Sequence, residues 1–359
     1  MGYNVSRLTG KIAGGLAAAL MAAALGATPG QADDAKLTYF TWSGYELPDF
    51  NKSFLAAHPN GVEASTFGDD DDAFTKVKAG FSPDVAHPCY DKIARWRQAD
   101  LIQPIDTKRL KNWDKIFPVL RALPDLDAGD GKVWMVPWDW GNTSILYRND
   151  IVKDPVPSWS LLWDKAYAGR IATIDAVHDT PVVAALLAGI DIFKKLTPDQ
   201  IDKIAEVLRE QRPLLKAYTT DMTSVEQSLA SGELVAAMTW NASATTLKKQ
   251  GVPVTFMHPK EGMLTWACGM VLLKNAKNVD LAYDFFNSRL EPESGKFLIE
   301  SYGYGSASSA AFALVPKQDL ETLQLPADPQ EMLKTTIFTG PMPDNDAIAK
   351  MFEKVKAGG

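Results

Sequence analysis

Lys36-Leu37-Thr38-Tyr39-Phe40-Thr41-Trp42, followed at once by Ser43-Gly44-Tyr45, is the stretch that decides the fold. Residues 36–42 read as an apolar, β-prone strand that ends on an aromatic residue where a loop begins. A helix is predicted over 47–58, a strand over 61–66 and a helix over 73–80. A short strand over 84–88 and a helix over 92–98 follow. The order β-α-β-α-β predicts a parallel sheet with helices on both faces.

The acidic run Asp69 to Asp72 opens the second of these helices. Oxygen ligands suit calcium, but the run has no Gly at the sixth position of a loop and no Glu at the twelfth. Acidic residues at a helix N-terminus complement the macrodipole, and that reading is preferred here. A second α/β unit is predicted from a helix over 159–169, a strand over 171–174 and a helix over 180–188. Thr197-Pro198-Asp199-Gln200 carries the pattern of a capped helix start. A helix over 224–231 and a strand over 234–240 continue the unit. Strand-like connectors run from 132–138 into 141–148 and from 255–259 into 263–273. Helices over 280–289 and 293–300 are assigned to the first unit, and 344–356 forms a terminal helix.

The first 32 residues read as a secretory signal peptide. Arg7 and Lys11 precede an apolar run over 12–25, and Gly30-Gln31-Ala32 forms a small-x-small cleavage site. The run is too short for a membrane span. With the leader removed, the chain is two charges more acidic than its formal −7. Such a chain is a poor match for nucleic acid and weakly suits a cationic ligand. At 359 residues and 46% hydrophobic content, two lobes are expected. Export permits a disulfide between the two cysteines, Cys89 and Cys268. Two separate buried thiols are the alternative.

Trp42, Trp138, Trp140, Trp240 and Trp266 each stand where an apolar run gives way to a loop. Ligands of open α/β sheets bind at the carboxyl ends of strands, and indole faces attract cations. Plain core packing is the competing reading. Catalytic signatures are missing: there is no Gly-x-Ser-x-Gly, no P-loop and no His-Glu-x-x-His. His58, His87, His178 and His258 share no metal spacing. No enzymatic activity and no cofactor is therefore expected. A secreted hydrolase or lyase on a two-lobed scaffold is the rival from another class.

The segments Tyr39-Phe40-Thr41-Trp42-Ser43-Gly44-Tyr45, Pro137-Trp138-Asp139-Trp140-Gly141, Trp159-Ser160-Leu161-Leu162-Trp163, Ile171-Ala172-Thr173-Ile174-Asp175, Met238-Thr239-Trp240-Asn241 and Pro259-Lys260-Glu261-Gly262 resemble, in order and spacing, the periplasmic spermidine/putrescine-type solute-binding proteins of ABC importers. The resemblance implies an α/β, two-lobed periplasmic binding protein fold that closes on its ligand by hinge motion. It implies a monomer that hands a small cationic amine to an ABC transporter permease. Lobe 1 is expected to span 33–140 plus 267–303, and lobe 2 to span 141–266 plus 304–359. Carried over by position, Trp42, Tyr45, Tyr90, Trp240 and Trp266 are expected to form the aromatic walls and Asp175 to bind an ammonium group, and Trp140, at a strand end, is expected to join the ligand-binding residues. The departures are Gly44, His178 and Cys268, which stand where the family has acids. Burying an unpaired ammonium costs several kcal/mol, so fewer acids favour a ligand with one cationic centre. An ω-amino acid such as 4-aminobutyrate and a quaternary amine are the alternatives. An iron-binding relative of the same fold would use tyrosines such as Tyr302 and Tyr304.

Overall fold

In the computed structural model, residues 35–359 are described. The signal-peptide expectation falls outside the described residues. A mixed sheet runs through both halves of the body. Its strands lie in the order Leu215–Tyr218, Ile171–Thr173, Ala236–Trp240, Val136–Arg148, Leu264–Leu273, Val85–Ala86, Leu37–Trp42, Val62–Phe67. Pairing is parallel on both sides of Leu37–Trp42 and on both sides of Ile171–Thr173. The two halves meet at Val136–Arg148 and Leu264–Leu273, which pair antiparallel with each other. Each lobe is thus a small parallel sheet, and the two long strands belong to both.

The expected helix starts form. Thr197 and Gln200 make both bonds of a capping box at Pro198–Gln211, and Asp69 accepts from the Asp71 and Asp72 backbone amides at Asp70–Lys78. The acidic run is therefore a helix cap.

Three expectations need correction. The connector read as two pieces over 132–138 and 141–148 is one strand, Val136–Arg148, buried over nearly all of its length. The helix expected over 159–169 is two short 3-10 turns, Trp159–Trp163 and Lys165–Tyr167. Asp164 ends the first turn and caps the second by accepting from the Ala166 amide, so the chain cannot continue helically between them.

The lobe boundary also moves. Ala307, Ala311, Phe312, Leu320 and Leu333 pack in the first apolar core with Leu37, Trp138 and Phe285, although residues from 304 on were assigned to lobe 2. Met342, Ile348, Phe352 and Val355, after the third crossing segment, join the second core with Ile145 and Met238, and Ile337 and Met351 pack against it. That crossing is Ile337–Phe338, paired parallel with Leu264 and Thr265.

Candidate ligand-binding site

The strand Val136–Arg148 organises the site, because side chains along a strand alternate between faces. Asp139, Gly141 and Thr143 therefore share one face. Directly opposed residues of neighbouring strands point the same way, so their partners share it too: Cys268 opposite Asp139, Trp266 opposite Gly141, and Trp240 opposite Thr143. One face thus carries Trp266 and Trp240 on either side of Gly141 and Thr143.

Gly141 is required there by close approach. A Cβ at this position would stand 2.2 Å from Cζ2 of Trp266, so only a glycine lets the indole lie on the strand. The ring of Tyr304 meets Trp266 edge-on, with centroids 4.8 Å apart. Both tryptophans remain partly exposed. The hinge beneath them is tied by side-chain amides. Asn142 Nδ2 donates to Thr265 Oγ1 at 2.6 Å, the Asn142 amide donates to Asn241 Oδ1 at 3.1 Å, and Asn241 Nδ2 donates to the Gly303 carbonyl at 2.6 Å.

The alternation that places Trp266 and Trp240 on this face removes Trp140 from it. Trp140 is fully buried. Its Nε1 donates to the Ser306 carbonyl at 2.9 Å, and its ring stacks on Phe312 in the first core. It is a packing residue.

Tyr45 is likewise buried among Phe50, His87, Trp138 and Tyr302. Burial, with the Asp139 carboxylate beside it, pushes its hydroxyl well above the usual tyrosine range. Beneath it Thr41, His87 and Asp139 form a buried chain. His87 Nε2 is 2.9 Å from Asp139 Oδ1, and Nδ1 is 3.1 Å from Thr41 Oγ1. A carboxylate only accepts, so Nε2 donates to Asp139. Trp42 stays partly exposed at the strand end, packed on Phe67, and its indole N–H has no acceptor among the described residues.

Tyr90 is the first residue of the helix Tyr90–Gln98. It is buried, Gly340 of the third crossing lies against its ring, and burial raises its hydroxyl to about 12. Cys89, just before it, is joined to Cys268 by a disulfide.

Asp175 does not reach this face. It is exposed, and it pairs with Lys356 of the terminal helix Asn345–Lys356 at 2.5 Å. The acid that the second lobe presents instead is Asp179, at the start of the helix Thr180–Leu187. It bonds Thr143, and burial, helped by Asp91 across the cleft, raises its carboxyl to about 7. Beside it, His178 Nε2 lies 3.5 Å from Asp91 Oδ2, and burial lowers its basicity although Asp91 opposes this. Glu226, on the helix Met222–Ser231, faces Tyr304 from the second lobe. Sequence reading missed Asp179, Asp91, Glu226 and Tyr304 as cleft residues. The signal that could have found Asp179 was its place next to His178 on a loop already singled out.

A separate cavity of about 490 Å³ lies in the first lobe, lined in part by Trp113, Arg121, Asp125 and Lys132. It shares no residue with this face.

The profile of the bacterial extracellular solute-binding proteins matches residues 49–325. The chain belongs to that family. Among its relatives, the spermidine/putrescine-binding periplasmic protein of Salmonella typhimurium is 27% identical over 343 residues, which cover 94% of this chain and 96% of the relative. The putrescine-binding periplasmic protein PotF of Escherichia coli is 28% identical over 375 residues, covering 99% of each. The solved structure of the spermidine/putrescine substrate-binding protein PotD from Streptococcus pneumoniae superposes with a TM-score of 0.76 at 23% identity, over 90% of this chain and 98% of that one. The Atu4243 GABA receptor superposes with a TM-score of 0.73 at 19% identity, over 90% of this chain and 98% of that one. The two-lobed fold expected of the family is the fold of this chain.

Proposed function

We propose that this protein is a periplasmic solute-binding protein that captures a small linear amine between its lobes and delivers it to an ABC importer permease. The observation that carries this reading is Asp179. It is a partly buried carboxylate on the face that bears Trp266 and Trp240, and among the described residues no Lys or Arg forms an ion pair with it. A buried acid with no ion-pair partner in contact is a receptor for a cation, and indole faces on either side receive the alkyl stem of an amine. The names of the relatives, which bind putrescine and spermidine, support the same class. Family membership also supports a binding role in place of catalysis.

Thermal-shift screening against amines, amino acids and betaines tests the reading. A ligand present at 100 times its Kd should add about 2.7 kcal/mol of stability. A screen in which anions or sugars stabilise the protein and no amine does would overturn it.

A further inference from the structure

The acids around the cleft are not equally available to a ligand. Asp139 is matched inside the first lobe by His87 Nε2 at 2.9 Å. The buried guanidinium of Arg289 also acts on it; Arg289 itself is enclosed by the rings of Tyr39, Phe50, Trp138 and Phe285 at 4.5–5.2 Å. Asp71 is held by Arg95 at 2.5 Å. Asp70 is buried with one oxygen on the Cys89 amide at 3.4 Å, and burial, with Asp91 nearby, drives its carboxyl well above the usual range. Asp91, which faces His178 and Asp179 from the first lobe, is held by Lys92 Nζ at 3.0 Å. That ammonium is also 4.0 Å from Asp71, and its side chain is 17% exposed. Burial works against the Lys92 charge, yet Asp91 and Asp71 keep its proton affinity above the usual lysine range. It is a tethered primary ammonium, already seated on a carboxylate at the meeting of the lobes.

We infer that Lys92 is a specificity-determining residue: its ammonium fills, on Asp91, the place that an additional ammonium of the ligand would take. This rests on the amine reading above and deepens it. Asp179 and Glu226, both on the second lobe, form no ion pair with a Lys or Arg among the described residues, although the Lys92 charge is felt at Asp179. The cleft therefore accepts a monoamine or a diamine and discriminates against a triamine. A third ammonium would have to displace Lys92 from Asp91 or stay unpaired in a partly dry site.

The test is to titrate the full-length mature protein and its Lys92→Gln and Lys92→Arg variants with 1,4-diaminobutane and with spermidine by calorimetry. The wild type should prefer the diamine. In Lys92→Gln, Asp91 becomes free, and the triamine-to-diamine affinity ratio should rise about tenfold or more. Lys92→Arg keeps the tethered cation and should keep the wild-type ratio. A ratio unmoved in Lys92→Gln, or a wild type that already prefers the triamine, overturns the inference while leaving amine capture standing. Failure of every amine to bind the wild type overturns both. A wild type that prefers the triamine overturns the inference even if Lys92→Gln does not fold, and Lys92→Arg gives a second variant for the comparison.

Discussion

The His178 imidazole stands 3.5 Å from the Asp91 carboxylate across the line where the two lobes meet. Burial lowers the basicity of that imidazole, so His178 at neutral pH is mostly uncharged and lends Asp179 no positive charge. Asp91 gives its own charge to Lys92. Burial, with the Asp91 charge adding to it, raises the Asp179 carboxyl to about 7, although the Thr143 hydroxyl and the Lys92 charge work the other way.

The pH dependence follows from that. With a folded pKa raised above the ordinary 3.8 to about 7, the Asp179 contribution to stability is fully present below the ordinary value and is lost as pH rises through about 7. An ammonium ligand pairs with the ionised form, so binding should release a proton, and affinity should climb as pH rises toward about 7 and level off above it. Asp179→Asn should flatten this profile and weaken binding by roughly 2–5 kcal/mol. Calorimetry in buffers of different ionisation enthalpy reads the proton directly. No proton release by the wild type near neutral pH would remove Asp179 from the site.

Asp175→Ala makes the opposite expectation. Its pair with Lys356 is exposed, and such pairs are worth about 0–1 kcal/mol. Affinity should stay at the wild-type level and the melting temperature should fall by little. A loss of affinity of about tenfold would return Asp175 to the binding face.

Much of the architecture was legible because it is written in short-range patterns. The Thr197–Gln200 capping box and the strand Leu37–Trp42 stand where local chemistry put them. The site was less legible, for two physical reasons. Reading Val136–Arg148 as two pieces hid its alternation, so Trp140 was grouped with the wall although Gly141 and Thr143, on the other face, mark the site. On the loop 175–179, spacing cannot say which acid turns inward. Tertiary packing decides it, through Lys356 drawing Asp175 outward and Thr143 holding Asp179. The third crossing at Ile337–Phe338 was missed because two residues of strand leave almost no pattern.

The two faces of Val136–Arg148 give a paired test. Trp240→Ala and Trp266→Ala should each weaken amine binding by about 0.5–2 kcal/mol with melting temperatures near wild type. Trp140→Ala empties a fully buried position and should destabilise the protein by roughly 3–5 kcal/mol. Denaturant melts beside titrations separate the two effects. If Trp240→Ala and Trp266→Ala melt as early as Trp140→Ala, those two rings are core as well.

The disulfide joins two segments of the first lobe that are far apart in sequence. Cys89 immediately precedes the helix Tyr90–Gln98, whose first turn carries Asp91 and Lys92, and Cys268 stands opposite Asp139 on the central strand pair. The bond therefore fixes the start of the helix, where the lobes meet, against the sheet that carries Trp266. It closes a long loop, with 179 residues of sequence separation, so its removal should cost roughly 2–5 kcal/mol of stability. It should also weaken binding, because Asp91 and Lys92 lose the anchor that holds them opposite His178 and Asp179. Melting and titration of the oxidised protein, the reduced protein and a Cys89→Ala/Cys268→Ala double variant check both parts. Reduction and double substitution should agree, with no free thiol detected in the oxidised form. If reduction lowers the melting temperature and leaves amine affinity where it was, the bond is a brace for the first lobe alone and has no part in holding the wall of the site.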